Sequence, residues 1–146
     1  MIVDSQLLFS NAQAITAAAG STNTIDLGPG ASRDIGTGEE LYLVVAVVVA
    51  MTDTGSNSTL TVALEGDSTT TFTPDATKDL FIIPAVTAAG TAFIYRLNPG
   101  DGPLNLRYIR LLYTPNNGDL STGSVTAFIT KTIQQWKAYA DGFTIS

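Results

Sequence analysis

Cysteine and histidine are both missing from this chain of 146 residues. Without cysteine there are no disulfides, no thiolate metal sites and no cysteine nucleophile. Without histidine the commonest general base is gone, along with most zinc and iron sites and every Ser-His-Asp triad. Charge is scarce too: 14% of residues are charged, against about 25% in an ordinary globular protein. Only 7 are Lys or Arg, and the net charge is −6. A polyanion partner needs clustered basic residues, so no nucleic-acid partner is expected. Ser, Thr, Asn and Gly take the polar positions instead. Two readings of this follow: a surface partly covered by other subunits, since interface cores are depleted in charge, or a Thr-rich β protein whose threonines suit exposed strands. The segment Met1-Ile2-Val3-Asp4 has no basic n-region and no long apolar stretch follows it, so no secretory signal is expected.

What is present centres on one run, Leu41 to Met51: eleven apolar residues, five of them valine, preceded by Glu39 and Glu40 and followed by Thr52 and Asp53. Valine loses rotamer freedom in a helix and packs well on a pleated surface. The run is therefore a strand, and its lack of polar alternation predicts cover on both faces. A membrane span needs ~20 apolar residues, so this run is too short to cross a bilayer and no membrane partner is expected. Ser58–Glu65 alternates, with Leu60, Val62 and Leu64 inward and Thr59, Thr61 and Glu65 outward. Thr54-Gly55-Ser56-Asn57 reads as a hairpin loop between these two strands. Further strands are expected near Ala14–Thr16, at Ser21–Leu27, at an edge over Thr70–Thr73, at Leu80–Ile83, Thr91–Leu97, Arg107–Thr114 and Gly123–Ile133. Gly, Pro and Asn turns separate them, and no helix is convincing. The spacing predicts a sandwich or barrel, and an Ig-like sandwich fits it as well as a jelly roll does. One domain is expected over 1–146, with an irregular N-terminal arm over 1–12 and a C-terminal tail over 134–146.

Few constellations suggest chemistry. Gly36 and Gly38 lead into the valine strand rather than into a helix, and no Gly-Lys-Ser/Thr follows, so they read as a turn and not a phosphate cradle. Glu39-Glu40, Glu65/Asp67 and Asp75/Asp79 are the close carboxylate sets. Each sits at a strand end or in a loop, where a solvated charge is the ordinary occupant. Asp53-x-Gly55-x-Asn57 lacks the carboxylates of a calcium loop and reads as turn chemistry. Arg96, Arg107 and Arg110 fall in consecutive strands, with Lys131 and Lys137 at the end of the chain. If those strands share a sheet, they form a basic face; otherwise they are scattered charges balancing local acids. No catalytic, metal or cofactor-binding residue is assigned, no cofactor is expected, and the protein is not read as an enzyme.

The N-terminal third carries a resemblance. Asp4 through Phe9-Ser10, Gln13-Ala14-Ile15-Thr16, Ser21-Thr22, Ile25-Asp26-Leu27-Gly28 and Arg33-Asp34-Ile35-Gly36-x-Gly38-Glu39-x-Leu41 resemble, in order and spacing, the start of a tailed-bacteriophage family. These are the small capsid cement, or decoration, proteins found on HK97-type shells. The resemblance implies a jelly roll, so the expected fold is all-β: a jelly-roll-like sandwich of eight or nine short antiparallel strands. It also implies a structural virion protein on the outer surface of the capsid, made in the host cytoplasm, whose partners are the major capsid protein and itself, as a homodimer first and a trimer second. Candidate capsid contacts are Asp4, Leu8, Phe9, Arg33, Asp34 and Glu39, in irregular segments with family-like identity. The aromatic tail offers Trp136, Lys137, Tyr139 and Phe143 as oligomer or neighbour contacts; it either folds back on its own sandwich or docks on a neighbour. A carbohydrate- or receptor-binding jelly-roll module is the alternative, with Trp136, Tyr139 or Tyr113 as stacking platforms. A carboxylate-only hydrolase is the third reading.

Overall fold

The computed structural model describes residues 3–29 and 40–131. Nine strands run through them: β1 (Leu8–Ala14), β2 (Ala19–Gly20), β3 (Ile25–Asp26), β4 (Leu41–Thr52), β5 (Thr59–Asp67), β6 (Ala76–Ile83), β7 (Ala92–Leu97), β8 (Tyr108–Asn116) and β9 (Thr122–Thr130). Two short 3-10 turns, Ser5–Leu7 and Gly102–Asn105, are the helical content among the described residues. The strands form two antiparallel sheets. One has the order β1-β9-β4-β7; the other has the order β2-β8-β5-β6, with β3 also on β8.

β2 and β3 pair with successive stretches of β8, Gly20 opposite Leu112 and Ile25 opposite Ile109. They therefore act as one interrupted strand, which leaves four strands in each sheet. The chain crosses between the sheets at every connection except β5 to β6, where consecutive strands pair directly. Two interleaved four-stranded sheets built this way are a jelly roll, and the protein is an all-β sandwich.

The valine run explains the first sheet. β4 lies between β9 and β7, and its inward side chains Leu43, Val45 and Val47 enter the core with Val125, Ala127 and Ile129 of β9. The alternate residues Val44 and Ala46 are also shielded from solvent. Both faces of the run are thus covered, as its unbroken apolar pattern requires. The cover ends at a bulge between Val47 and Val49, beyond which Val48 and Val49 are exposed. From the second sheet Leu60, Val62, Leu64, Ile109, Leu111 and Tyr113 close the core. Burying each such side chain is worth roughly 1.5–3 kcal/mol.

Several expectations need correction. The segment over 1–12 is not an arm throughout: after the turn at Ser5–Leu7, β1 begins at Leu8 and pairs with β9. Thr54–Asn57 does not close a hairpin, because β4 and β5 belong to different sheets. Asp53 instead shapes a sheet-crossing turn, its carboxylate accepting from Gly55 N (3.0 Å) and Ser58 N (3.2 Å). Thr70–Thr73 is a turn and not an edge strand, while β6 is longer than Leu80–Ile83. Gly66 lies inside β5, where the turn at Gly102–Asn105 presses against it. A Cβ there would sit 2.6 Å from the Pro103 carbonyl oxygen, so only glycine fits.

Candidate functional site

The sequence candidates separate into three groups. Asp4 is exposed and caps the first turn, its Oδ1 accepting from Gln6 N at 2.9 Å. Leu8 is half-buried and opposes Phe128. Phe9 is fully buried in the core cluster, so it is unavailable to a partner: β1 turns alternate residues inward, and Phe9 falls on the inner side. Arg33, Asp34, Glu39, Trp136, Lys137, Tyr139 and Phe143 lie outside the described residues. So do the loop over 33–39 and the tail over 134–146.

Tyr113 is no stacking platform. It is fully buried, and its hydroxyl shares a hydrogen bond of 2.8 Å with Ser10 Oγ. Burial raises its pKa, with the Ser10 bond acting in the opposite direction.

The basic face does not form. β7 and β8 lie in different sheets, which separates Arg96 from Arg107 and Arg110. Each is paired locally instead: Arg96 with Glu40 at 3.0 Å, Arg107 with Asp26 at 3.0 Å, and Arg110 with Glu65 at 2.7 Å. Arg107 is bidentate on Asp26. That pair, together with the Gly28 N–H, holds the Asp26 carboxyl below its ordinary pKa. The Arg110 guanidinium lies 4.2 Å from the centroid of the Phe72 ring. Glu65 and Asp67 are both buried, but Glu65 is engaged by Arg110 and Asp67 Oδ1 accepts from Thr69 N at 2.6 Å. These carboxylates fasten a turn to the sheet. Among the described residues, no group of three or more His, Cys, Asp or Glu side chains is placed to hold a metal ion. Nor is any helix there long and apolar enough to cross a membrane.

The surface features that remain are the two flanks where the sheets meet. On one flank β1 faces the β2–β3 segment. Asn23 donates from its backbone N to Phe9 O (2.9 Å) and from Nδ2 to Leu8 O (3.1 Å). Gln13 donates to Gly20 O and accepts from Thr22 N and Ser10 Oγ. Beside this seam lies an open depression of about 630 Å³, lined by Ser5, Gln6, Thr22, Asn23, Thr24 and Asp26 among others.

On the opposite flank β6 and β7 end their sheets. The seam between them is made of rings: Phe81 stacks on Phe93 with centroids 5.8 Å apart and on Tyr95 at 6.3 Å. β6 carries the usual edge protection. It has a bulge opposite Val62/Ala63, charged Lys78 and Asp79, and Pro84 just beyond. Lys78 also reaches across to Asp101, which raises the lysine pKa. β7 carries little of this. Its sequence Ala-Phe-Ile-Tyr-Arg-Leu pairs residue for residue with Leu41–Ala46, without a bulge, and Ile94 is 48% exposed. The sequence located this strand but carried no sign that it would end the sheet among the described residues, because edge status depends on the order of strands in the sheet.

A family model described as Bbp16 matches residues 9–129. No curated protein matches the chain.

Proposed function

The chain belongs to the Bbp16 family, and we propose that it is a capsid cement protein: a structural virion component that binds the outer surface of a phage head and bridges neighbouring major capsid protein subunits. It acts as a symmetric homo-oligomer, a dimer before a trimer, and catalyses no reaction. Supporting this reading is the strand order, β1-β9-β4-β7 over β2/β3-β8-β5-β6, which is the jelly roll that the resemblance to tailed-phage cement proteins implies. Its mechanism is avidity. Each copy touches two or more shell subunits, so modest contacts add up only where the lattice spacing is right.

Shell contact is assigned to Asp4 and Leu8 at the N-terminal turn, with Arg33, Asp34 and Glu39 as further candidates. Phe9 acts behind them as a core residue. The test is co-sedimentation of purified protein with mature shells stripped of it, alongside unexpanded procapsids. Saturable, stoichiometric binding to mature shells is the expected result; no binding to either, with the protein folded, overturns the proposal. Removal of residues 1–4 probes the turn without touching β1 and is expected to weaken shell binding.

A further inference from the structure

The backbone of β7 fixes which of its groups are free. Val47 N donates to Thr91 O at 2.8 Å. Val47 and Thr91 continue the register in which Leu43 faces Tyr95 and Val45 faces Phe93. In an antiparallel ladder, residues that bond to one neighbour alternate with residues whose N–H and C=O point the other way. Phe93 and Tyr95 therefore bond to β4, whereas Ala92, Ile94 and Arg96 direct their backbone groups outward, where no described strand meets them.

We propose that this edge is the interface with a second copy of the chain: β7 pairs antiparallel with β7 of its partner about a two-fold axis at Ile94. In that register Ile94 faces Ile94 of the partner subunit, and Ala92 faces Arg96 of the partner subunit. All three outward residues then exchange backbone hydrogen bonds in pairs, about six in total. On the inner side Phe93 falls opposite Tyr95 of the partner subunit. This is an aromatic cross-strand pair of a favourable kind, and it extends the ring seam already built on Phe81.

Two further features favour a copy of the chain as the occupant. Arg96 meets alanine rather than another arginine, so no like charges oppose each other despite the strand carrying one cation. On the outer face Leu8, Phe128, Val44 and Ile94 align across β1, β9, β4 and β7 by register. Ile94 is the exposed end of that apolar row, and the two-fold covers it with its own image. The result is a continuous eight-stranded sheet. The interface rests on this edge geometry; its use in spanning two shell subunits rests on the cement reading.

The chain has no cysteine, so single-cysteine variants report the interface cleanly. In a hydrogen-bonded antiparallel pair the Cα atoms are about 5.5 Å apart, within the roughly 4.4–6.8 Å that a disulfide accepts. Full-length Ile94→Cys is expected to form a covalent dimer under mild oxidation. Ile82→Cys, at a position 57% exposed on the other sheet, is expected not to. In light scattering the wild type is expected to be a dimer and Ile94→Pro a folded monomer, because proline there removes an N–H that β4 does not use. Ile94→Lys, an edge-guarding substitution, should give the same monomer and serves if the proline variant fails to fold. A monomeric wild type, a dimer that survives Ile94→Lys, or equal cross-linking at both cysteines overturns the interface. Shell binding by the wild type with any of these results would leave the cement reading standing. A dimer broken at Ile94 with no shell binding would do the reverse.

Discussion

The two flanks of the sandwich are closed by opposite means. Where β1 meets β2 and β3, polar side chains seal the join: Asn23, Gln13 and Ser10 consume backbone and hydroxyl groups of both layers, down to the buried Tyr113. Where β6 meets β7, three rings seal the interior, and no described strand takes up the outer backbone of β7. Hydrogen bonds satisfy edge groups and so finish an edge. Ring stacking excludes water but satisfies none of them. Among the described residues one flank is closed by hydrogen bonds, and the other ends in a strand whose outer groups no described strand meets.

The sharpest way to break this contrast is at Phe9. Phe9→Ala empties a fully buried site on the polar flank and should cost about 3–5 kcal/mol, read as a lower urea midpoint. A cost under about 1 kcal/mol would mean that β1 contributes little and that the arm reading deserves revival. Phe81→Ala, on the ring flank, removes a side chain that is only half-buried. About 1–2 kcal/mol is expected from the smaller area involved, so a loss equal to that of Phe9→Ala would erase the distinction. Tyr113→Phe deletes one partner of a buried hydrogen bond while Ser10 keeps Gln13. A loss of about 1 kcal/mol is expected in thermal melts.

The smallest effect is electrostatic. Asp26 has a lowered folded pKa, from the Arg107 pair first and the Gly28 N–H second. A depressed carboxyl adds stability above its unfolded pKa of about 3.9 and loses it as pH falls through the folded value. Carboxyl titration followed by NMR should place Asp26 below the ordinary aspartate range. Asp26→Asn should melt lower than the wild type at neutral pH and converge with it in acid.

How much of this was legible depended on whether neighbours in sequence or neighbours in space decide a residue's environment. The valine run and the Leu60-Val62-Leu64 alternation declared strands because their side chains alone fix the period. β1 was not legible as a strand. Its apolar run, Leu8-Phe9, is two residues long, register shifts between Leu8, Ser10 and Gln13 break the alternation, and Ser10 and Gln13 find further partners in Tyr113, Gly20 and Thr22, outside β1. β6 was cut short because Thr77, Lys78 and Asp79 look like loop, although β5 pairs with them. The expected hairpin at Thr54–Asn57 and the basic face failed for one reason: strand order along the chain does not tell which sheet a strand joins. Of the candidate contacts, Asp4 is exposed at the cap of the first turn and Leu8 is half-buried. Phe9 was misplaced because its neighbours are distant.

The pairing of β1 with β9 also sets a clock. The first strand can be completed only by the last, more than a hundred residues later, and β9 must also slot beside β4. Folds dominated by such distant pairings form slowly, over milliseconds to seconds, because chain closure must be paid for before the contacts reward it. On the ribosome the sheet that carries β7 therefore stays unfinished until Thr122–Thr130 has emerged, and a nascent chain has no finished edge to offer. Association through the proposed β7 edge is thereby postponed until β9 is in place beside β4, which keeps half-made chains from pairing with one another.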